Sequence, residues 1–267
     1  MTLPATAAQA HARGRNTAIF CPNLSISSAM HHCLIVKLGS APPHLRARRG
    51  DFEHYFSKRL GIDLDKCLIV NPEAGDILPD ARHFLGVVIT GSDAMLTDNP
   101  DWSLRTQAWL ERILPNEKIP VLGVCYGHQL LAQTLGGKIG WSENGEELGT
   151  ISVTLTANGE RDPLLGAVGR QFVVQAAHSQ AVLELPPGAR LLARNAHEPI
   201  QSFAWGTNAW GVQFHPEFDA DISRTYIEDD REALEHEGRE LDAMLRATRD
   251  TDHGAVLLRR FAGRLHR

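Results

Sequence analysis

The chain reads as an α/β protein: a doubly wound, mainly parallel sheet with helices on both faces, a smaller antiparallel β portion, and helices at the C-terminal end. Three observations carry that expectation. Apolar runs at 33–38, 67–70 and 84–90 alternate with segments of helical spacing. The stretch 121–132 then passes from a short apolar run through Gly-x-Cys-x-Gly into a further apolar segment, which is a strand, a sharp turn and a helix. Beyond Gly137 the texture changes to short strands, and from Ala220 onward to charged residues around an apolar stripe.

Taken in order, the run at 33–38 ends in Gly39-Ser40-Ala41-Pro42-Pro43, a buried first strand followed by a turn. Arg46, Arg48 and Arg49 crowd the next residues and read as a solvated loop rather than an anion site. Phe52, Tyr55, Phe56 and Leu60 fall at helical spacing between Asp51, an N-cap residue, and Gly61, a C-cap residue. A second strand at 67–70 closes at Asn71-Pro72, and a third at 84–90 runs into Thr90-Gly91-Ser92-Asp93, where backbone N–H groups at the carboxyl edge of a parallel sheet face a ligand. A helix over 102–114 buries Trp109 and Leu110 and stops at Pro115. Strands are expected within 148–156, 172–176, 190–193, 200–205 and 209–214, antiparallel and packed beside the parallel sheet. Ile222, Tyr226, Ile227, Leu234, Leu241 and Leu245 form the stripe of a docked helix that Gly238 breaks, and Leu257, Leu258, Phe261 and Leu265 mark a last short helix. The organisation expected is a flexible N-terminal extension over 1–32, one domain over 33–219, and a helical extension over 220–267 packed on it.

Composition narrows the function. A length of 267 residues suffices for one α/β domain with appendages. A formal charge of −5 with 22% charged residues lacks the basic excess of a nucleic-acid binder, and no run is long enough to span a membrane. The partner expected is therefore a small molecule or a protein. Four cysteines without a Cys-x-x-Cys pair point to a reducing, cytoplasmic setting. His31, His32 and Cys33 form a local cluster, but no second ligand pair at structural-zinc spacing follows, so no metal is assigned. No Gly-x-x-x-x-Gly-Lys-Ser/Thr loop is present, and no cofactor is assigned.

The chemistry is concentrated in two motifs. Cys125 lies at the elbow of a strand–turn–helix, where a helix N-terminus favours a thiolate, and Gly123 and Gly127 leave room for strand and helix to approach. On this stretch alone a nucleophile and a buried core cysteine fit equally. Phe214-His215-Pro216-Glu217-Phe218 adds an imidazole and a carboxylate two residues apart, on one side of an extended chain, with Pro216 blocking regular pairing. The order Cys, His, Glu differs from that of an α/β-hydrolase, which places its acid before its histidine. His128 is a rival base by proximity, and its alternative role is helix packing.

Gly-Val-Cys-Tyr-Gly-His-Gln at 123–129 together with Phe-His-Pro-Glu-Phe at 214–218 resembles the class I, triad-type glutamine amidotransferases, and the resemblance covers roughly 34–218. Thr90-Gly91-Ser92-Asp93 and His178-Ser179-Gln180-Ala181-Val182 look most like the stand-alone branch related to the amidotransferase domain of GMP synthase. The resemblance implies a flavodoxin-like fold and a cysteine enzyme. It makes Cys125 the nucleophile that forms a γ-glutamyl thioester and releases ammonia, His215 the base and then the acid, and Glu217 its orienting partner. It places the oxyanion hole at the N–H groups of Gly91 and Tyr126 and substrate binding at Gln129, His178, Ser179 and Gln180. Related domains often carry an acid where this chain has Gln180. The partners implied are a γ-glutamyl substrate, either glutamine or a γ-glutamyl amide or peptide, and a separate synthase subunit that accepts the ammonia. A γ-glutamyl peptidase or hydrolase using the same thioester is the alternative; a non-enzymatic regulator that binds a γ-glutamyl compound is a third reading, which retention of all three residues argues against.

Overall fold

The computed structural model describes residues 32–265. Residues 1–31 of the proposed N-terminal extension, His31 among them, therefore lie outside the described residues, while His32 is exposed with its N–H on the Lys66 carbonyl at 2.9 Å and Cys33 is buried at the start of the first strand. Eleven strands and nine α-helices are described. β1 (Cys33–Val36), β2 (Cys67–Val70), β3 (Val87–Ile89) and β4 (Val121–Val124) are the parallel strands that the apolar runs predict, each no longer than its run because polar or glycine residues end the ladder. They pair in the order β2-β1-β3-β4, and all but two of their residues, Leu68 and Ile69 on the edge strand β2, are buried, as a sheet covered by helices on both faces requires.

α1 (Pro43–Arg49) and α2 (Phe52–Leu60) connect β1 to β2, α3 (Asp101–Ile113) connects β3 to β4, and α4 (Tyr126–Thr134) follows β4. α2 matches its expected bounds: the Asp51 carboxylate accepts from the Phe52 N–H, and Gly61 adopts φ 71° at the C-cap. α1 corrects the expectation of a solvated loop at Arg46, Arg48 and Arg49. Pro43 starts a helix, and Arg49 holds Asp219 at 2.5 Å and Asp221 at 2.6 Å, with Arg48 on Asp221 at 3.3 Å. Proline favours the first helical position, whereas acidic partners some 170 residues away leave no local trace.

The antiparallel half also differs from expectation. Instead of packing beside the parallel sheet, β11 (Ala209–Val212), β10 (Ser202–Trp205), β9 (Arg190–Arg194), β6 (Glu147–Leu155) and β7 (Gln171–His178) continue it, because β11 pairs in parallel with β4. A separate pair of strands, β5 (Lys138–Trp141) with β8 (Gln180–Glu184), was not anticipated. Gly140 interrupts the apolar pattern in β5, and β8 follows β7 after the single residue Ser179, so the two strands read as one.

A fifth helix, α5 (Ala157–Arg161), links β6 to β7, and α6 (Ala220–Asp229), α7 (Arg231–His236), α8 (Leu241–Ala247) and α9 (His253–Ala262) complete the chain. Gly238, at φ 74°, separates α7 from α8. α9 buries Leu257, Leu258 and Phe261 in the core that holds Val124, Trp210 and Phe214, and α6 docks Ile222 against Phe218. Among the described residues no helix is long and apolar enough to cross a membrane.

Candidate active site

β4 and β11 run side by side, and at their carboxyl ends they deliver Cys125 and the turn that carries His215. Cys125 is one of two non-glycine residues with positive φ among the described residues, at φ 51° and ψ −106°. Such a conformation costs on the order of 1–3 kcal/mol, and here it falls at the junction of β4 with α4, which begins at the next residue, where Cys125 lines a pocket. Close approach of strand and helix sustains the elbow. A Cβ on Gly123 would run into the Gly127 carbonyl, and one on Gly127 would lie 2.5 Å from the Ile89 oxygen. Gly127→Ala is therefore expected to destabilise the fold by about 1–3 kcal/mol, read as a fall in Tm of roughly 2–4 °C per kcal/mol; a melt unchanged from wild type would contradict this packing.

His215 does not lie on an extended strand with Glu217, as its spacing suggested. The ladder of β11 ends at Val212, the His215 N–H donates to the Gln175 carbonyl at 2.8 Å, and residues 215–218 form a turn that brings Nδ1 to 2.7 Å from Glu217 Oε1. Phe218 stacks on the imidazole at 4.1 Å between ring centroids. His215 and Glu217 are both buried. Burial opposes a charge on the imidazole, but the Glu217 carboxylate and the neighbouring Cys125 outweigh it and raise its pKa to about 10. His215 thus holds its proton through neutral pH.

Gly91 closes the third side. A Cβ there would sit 3.0 Å from His215 Cε1 and 3.6 Å from Cys125 Cβ, so the bare backbone of Gly91 faces both groups. Tyr126 is the first residue of α4, where an N–H has no intrahelical acceptor; its hydroxyl is occupied with Ser103 at 2.8 Å. Cys125 Sγ lies 3.6 Å from the Ala177 carbonyl, which places β7 beside it. His128, by contrast, is completely buried against Phe203 at 5.0 Å between ring centroids, and burial drives its pKa down to about 3.

A pocket of about 360 Å³ opens over Cys125 and His215 and is also lined by Tyr126, Gln129, His178, Ser179 and Gln180. Gln129, Gln180 and His178 differ in what they leave free. Gln129 Nε2 donates to the Gln180 carbonyl at 2.6 Å, and the Gln180 side chain is spent on Thr97, donating to its hydroxyl at 2.7 Å. His178 Nε2 meets Glu147 Oε2 at 3.1 Å, while its Nδ1 is buried without a partner. Burial works against the charge of Glu147, but hydrogen bonds from His178, Asn195 and Gln201 prevail and hold its carboxyl below the usual range. Sequence reasoning missed Glu147, since one carboxylate at the start of an alternating strand carries no signal, and missed Phe218 as the face on which the imidazole rests.

A sulfur at a strained elbow, a protonated imidazole fixed by a carboxylate, and bare backbone facing both can support nucleophilic attack on a carbonyl and protonation of its leaving group. This defines the class: an α/β protein with a cysteine, histidine and glutamate gathered at the carboxyl edge of its sheet. The family model described as glutamine amidotransferase class-I matches residues 98–231, and the chain belongs to that family. It is 39% identical over 172 residues to a subunit of the glutamine-hydrolyzing GMP synthase from Saccharolobus solfataricus, covering 63% of this chain and 85% of that one. It is 32% identical over 147 residues to gamma-glutamyl peptidase 5 of Arabidopsis thaliana, covering 54% of this chain and 57% of the peptidase. The chain spans 61%, 32% and 57% of the lengths of the first curated relatives it matches. A glutamine amidotransferase structure from Thermotoga maritima superimposes with a TM-score of 0.68 at 21% identity, over 88% of this chain and 98% of that one, and shares the fold.

Proposed function

We propose that the protein hydrolyses a γ-glutamyl amide through a thioester on Cys125, with glutamine the simplest substrate. The observation that carries this reading is the juxtaposition of Cys125, the His215–Glu217 pair and the Gly91 backbone over one pocket. The sulfur attacks the side-chain carbonyl, and the C–N bond breaks as His215 gives its proton to the departing nitrogen. Water then adds to the thioester, His215 recovers a proton, and glutamate leaves. The N–H groups of Gly91 and Tyr126 stabilise the oxyanion, each donor typically lowering the barrier by about 3 kcal/mol. Gln129 and Gln180 shape the pocket through each other and Thr97, while Ser179 and His178 contact the substrate.

When glutamine is the substrate the product is ammonia, and the likeness to a GMP synthase subunit favours delivery to a separate synthase chain. The likeness to a gamma-glutamyl peptidase favours a second reading, in which a larger amine or peptide leaves. Measuring amine release from glutamine and from γ-glutamyl amines and peptides tests the proposal: turnover of at least one supports it, and turnover of none overturns it in favour of a binding role.

A further inference from the structure

A series of stacked rings leads from the His215 imidazole to helix α6. Phe218 lies on the imidazole with centroids 4.1 Å apart and planes 12° from parallel, and Phe218 in turn stacks with Tyr226 at 5.3 Å and 19°. Two rings of α2 hold Phe218 from other directions: Tyr55 meets it edge-on at 6.4 Å and 82°, and Phe52 lies tilted at 6.5 Å. Arg59 of the same helix donates to the Phe218 carbonyl at 3.2 Å. Tyr226 is held as firmly through its own helix. The Asp219 carboxylate caps α6 by accepting from the Ile222 N–H at 3.0 Å, Arg49 of α1 pairs with Asp219 and Asp221, and Arg48 donates to the Thr225 hydroxyl at 3.0 Å.

The imidazole needs such a support. Its bond to Glu217 fixes Nδ1 alone, and a ring held at one edge can still tilt about that bond. Proton transfer requires the other nitrogen to keep its direction toward the sulfur and the leaving group, and a small misalignment is costly in rate. A flat contact on the ring face removes the tilt. Parallel aromatic rings attract one another in offset stacks, and a protonated imidazole is drawn further to a π face. The charged and titratable groups that act on His215 are Glu217 in its own turn, Cys125 at the β4–α4 junction and Asp93 in the β3–α3 connection. Those groups govern its charge, whereas the stacked rings govern its plane. The Tyr226 hydroxyl is buried and makes no hydrogen bond among the described residues, so the contact of this side chain with the site is made by its ring.

Resting on the reading of His215 as the acid and base of a γ-glutamyl hydrolase, we infer that Phe218 and Tyr226 are positioning residues that hold the plane of the catalytic imidazole, with Tyr226 acting through Phe218. Helix α6, clamped to α1 by Arg48 and Arg49, is then part of the catalytic apparatus rather than a cover on the sheet. Neither ring gives or takes a proton, and the chemical steps stay with Cys125 and His215.

The test joins turnover of glutamine, or of whichever γ-glutamyl amide the protein hydrolyses, to the NMR order parameter of the His215 Cε1–H bond in the resting protein. Tyr226→Leu is expected to lower kcat by about three- to tenfold, the size of one aromatic contact, with KM within about twofold, and to lower the order parameter. Tyr226→Phe, which keeps the ring, is expected to recover both. Phe218→Leu is expected to lower kcat further, by one to two orders of magnitude at most. Phe218 also packs on Phe52 and Tyr55, so the half-buried Tyr226 decides the matter should Phe218→Leu fail to fold. A lower kcat with an unchanged order parameter, a loss confined to KM, or a loosened ring with wild-type kcat would each overturn the inference. Absence of turnover in the wild-type protein would remove the hydrolase reading, while the order parameter, measured without substrate, would still show whether the two rings hold the imidazole.

Discussion

Cys125→Ala is expected to abolish release of ammonia or amine, by on the order of 10³-fold or more, while leaving the melting transition in place. The magnitude follows from the role. A nucleophile that forms the acyl intermediate has no substitute within the site, and removing one member of such a unit costs nearly as much as removing all of it. The fold is expected to tolerate the change because the residue's backbone, not its side chain, makes the elbow: Cys125 N–H donates to the Val212 carbonyl at 2.9 Å, and its own carbonyl accepts from Gln129 at 3.0 Å. Undiminished turnover in this variant would dispose of the thioester, since among the described residues no other cysteine lines the pocket.

His215→Ala is expected to cost nearly as much, and Glu217→Gln about two orders of magnitude less, because an orienting residue acts through the imidazole. The milder variant also has a pH signature. Burial alone would lower the pKa of His215, and the Glu217 carboxylate is the largest influence raising it to about 10. Removing that charge lets the pKa fall, so the proton needed by the leaving group is lost at lower pH, and the alkaline limb of kcat/KM is expected to move downward. The same sign holds for stability. A histidine whose folded pKa lies above its unfolded value, about 6.5, contributes stability that is present in full below that value and lost as pH rises toward about 10. In Glu217→Gln this loss is expected to occupy a narrower interval. An alkaline limb at the wild-type position would show that the carboxylate does not govern the imidazole.

Local chemistry explains what could be read from the chain. Asp51 and Gly61 bracket α2 because capping is decided within a few residues, and the glycines at 123 and 127 announce the elbow because only a missing Cβ permits the contact. The pairing of His215 with Glu217 is legible for the same reason, although the turn that makes it was not, since Pro216 says where pairing stops and not how the chain then folds. Long-range features were hidden. That β11 joins β4 in parallel and makes one sheet of both halves depends on register between segments almost ninety residues apart. Arg49 finding Asp219, and Glu147 finding His178, Asn195 and Gln201, are likewise partners brought together only by the finished fold. So are the carboxylates at the pocket, which come from the β3–α3 connection (Asp93), the residue before β6 (Glu146), and the end and C-cap of α6 (Asp229 and Asp230).

The central claim is that Cys125 carries the glutamyl group during turnover. Intact-protein mass spectrometry on rapidly quenched mixtures with glutamine and with γ-glutamyl amides measures it directly. The account predicts a species heavier by one glutamyl group, sensitive to hydroxylamine, located on the peptide containing Cys125 and missing from Cys125→Ala. Turnover without such a species in quenched wild-type protein, or the same adduct in the Cys125→Ala variant, would contradict it.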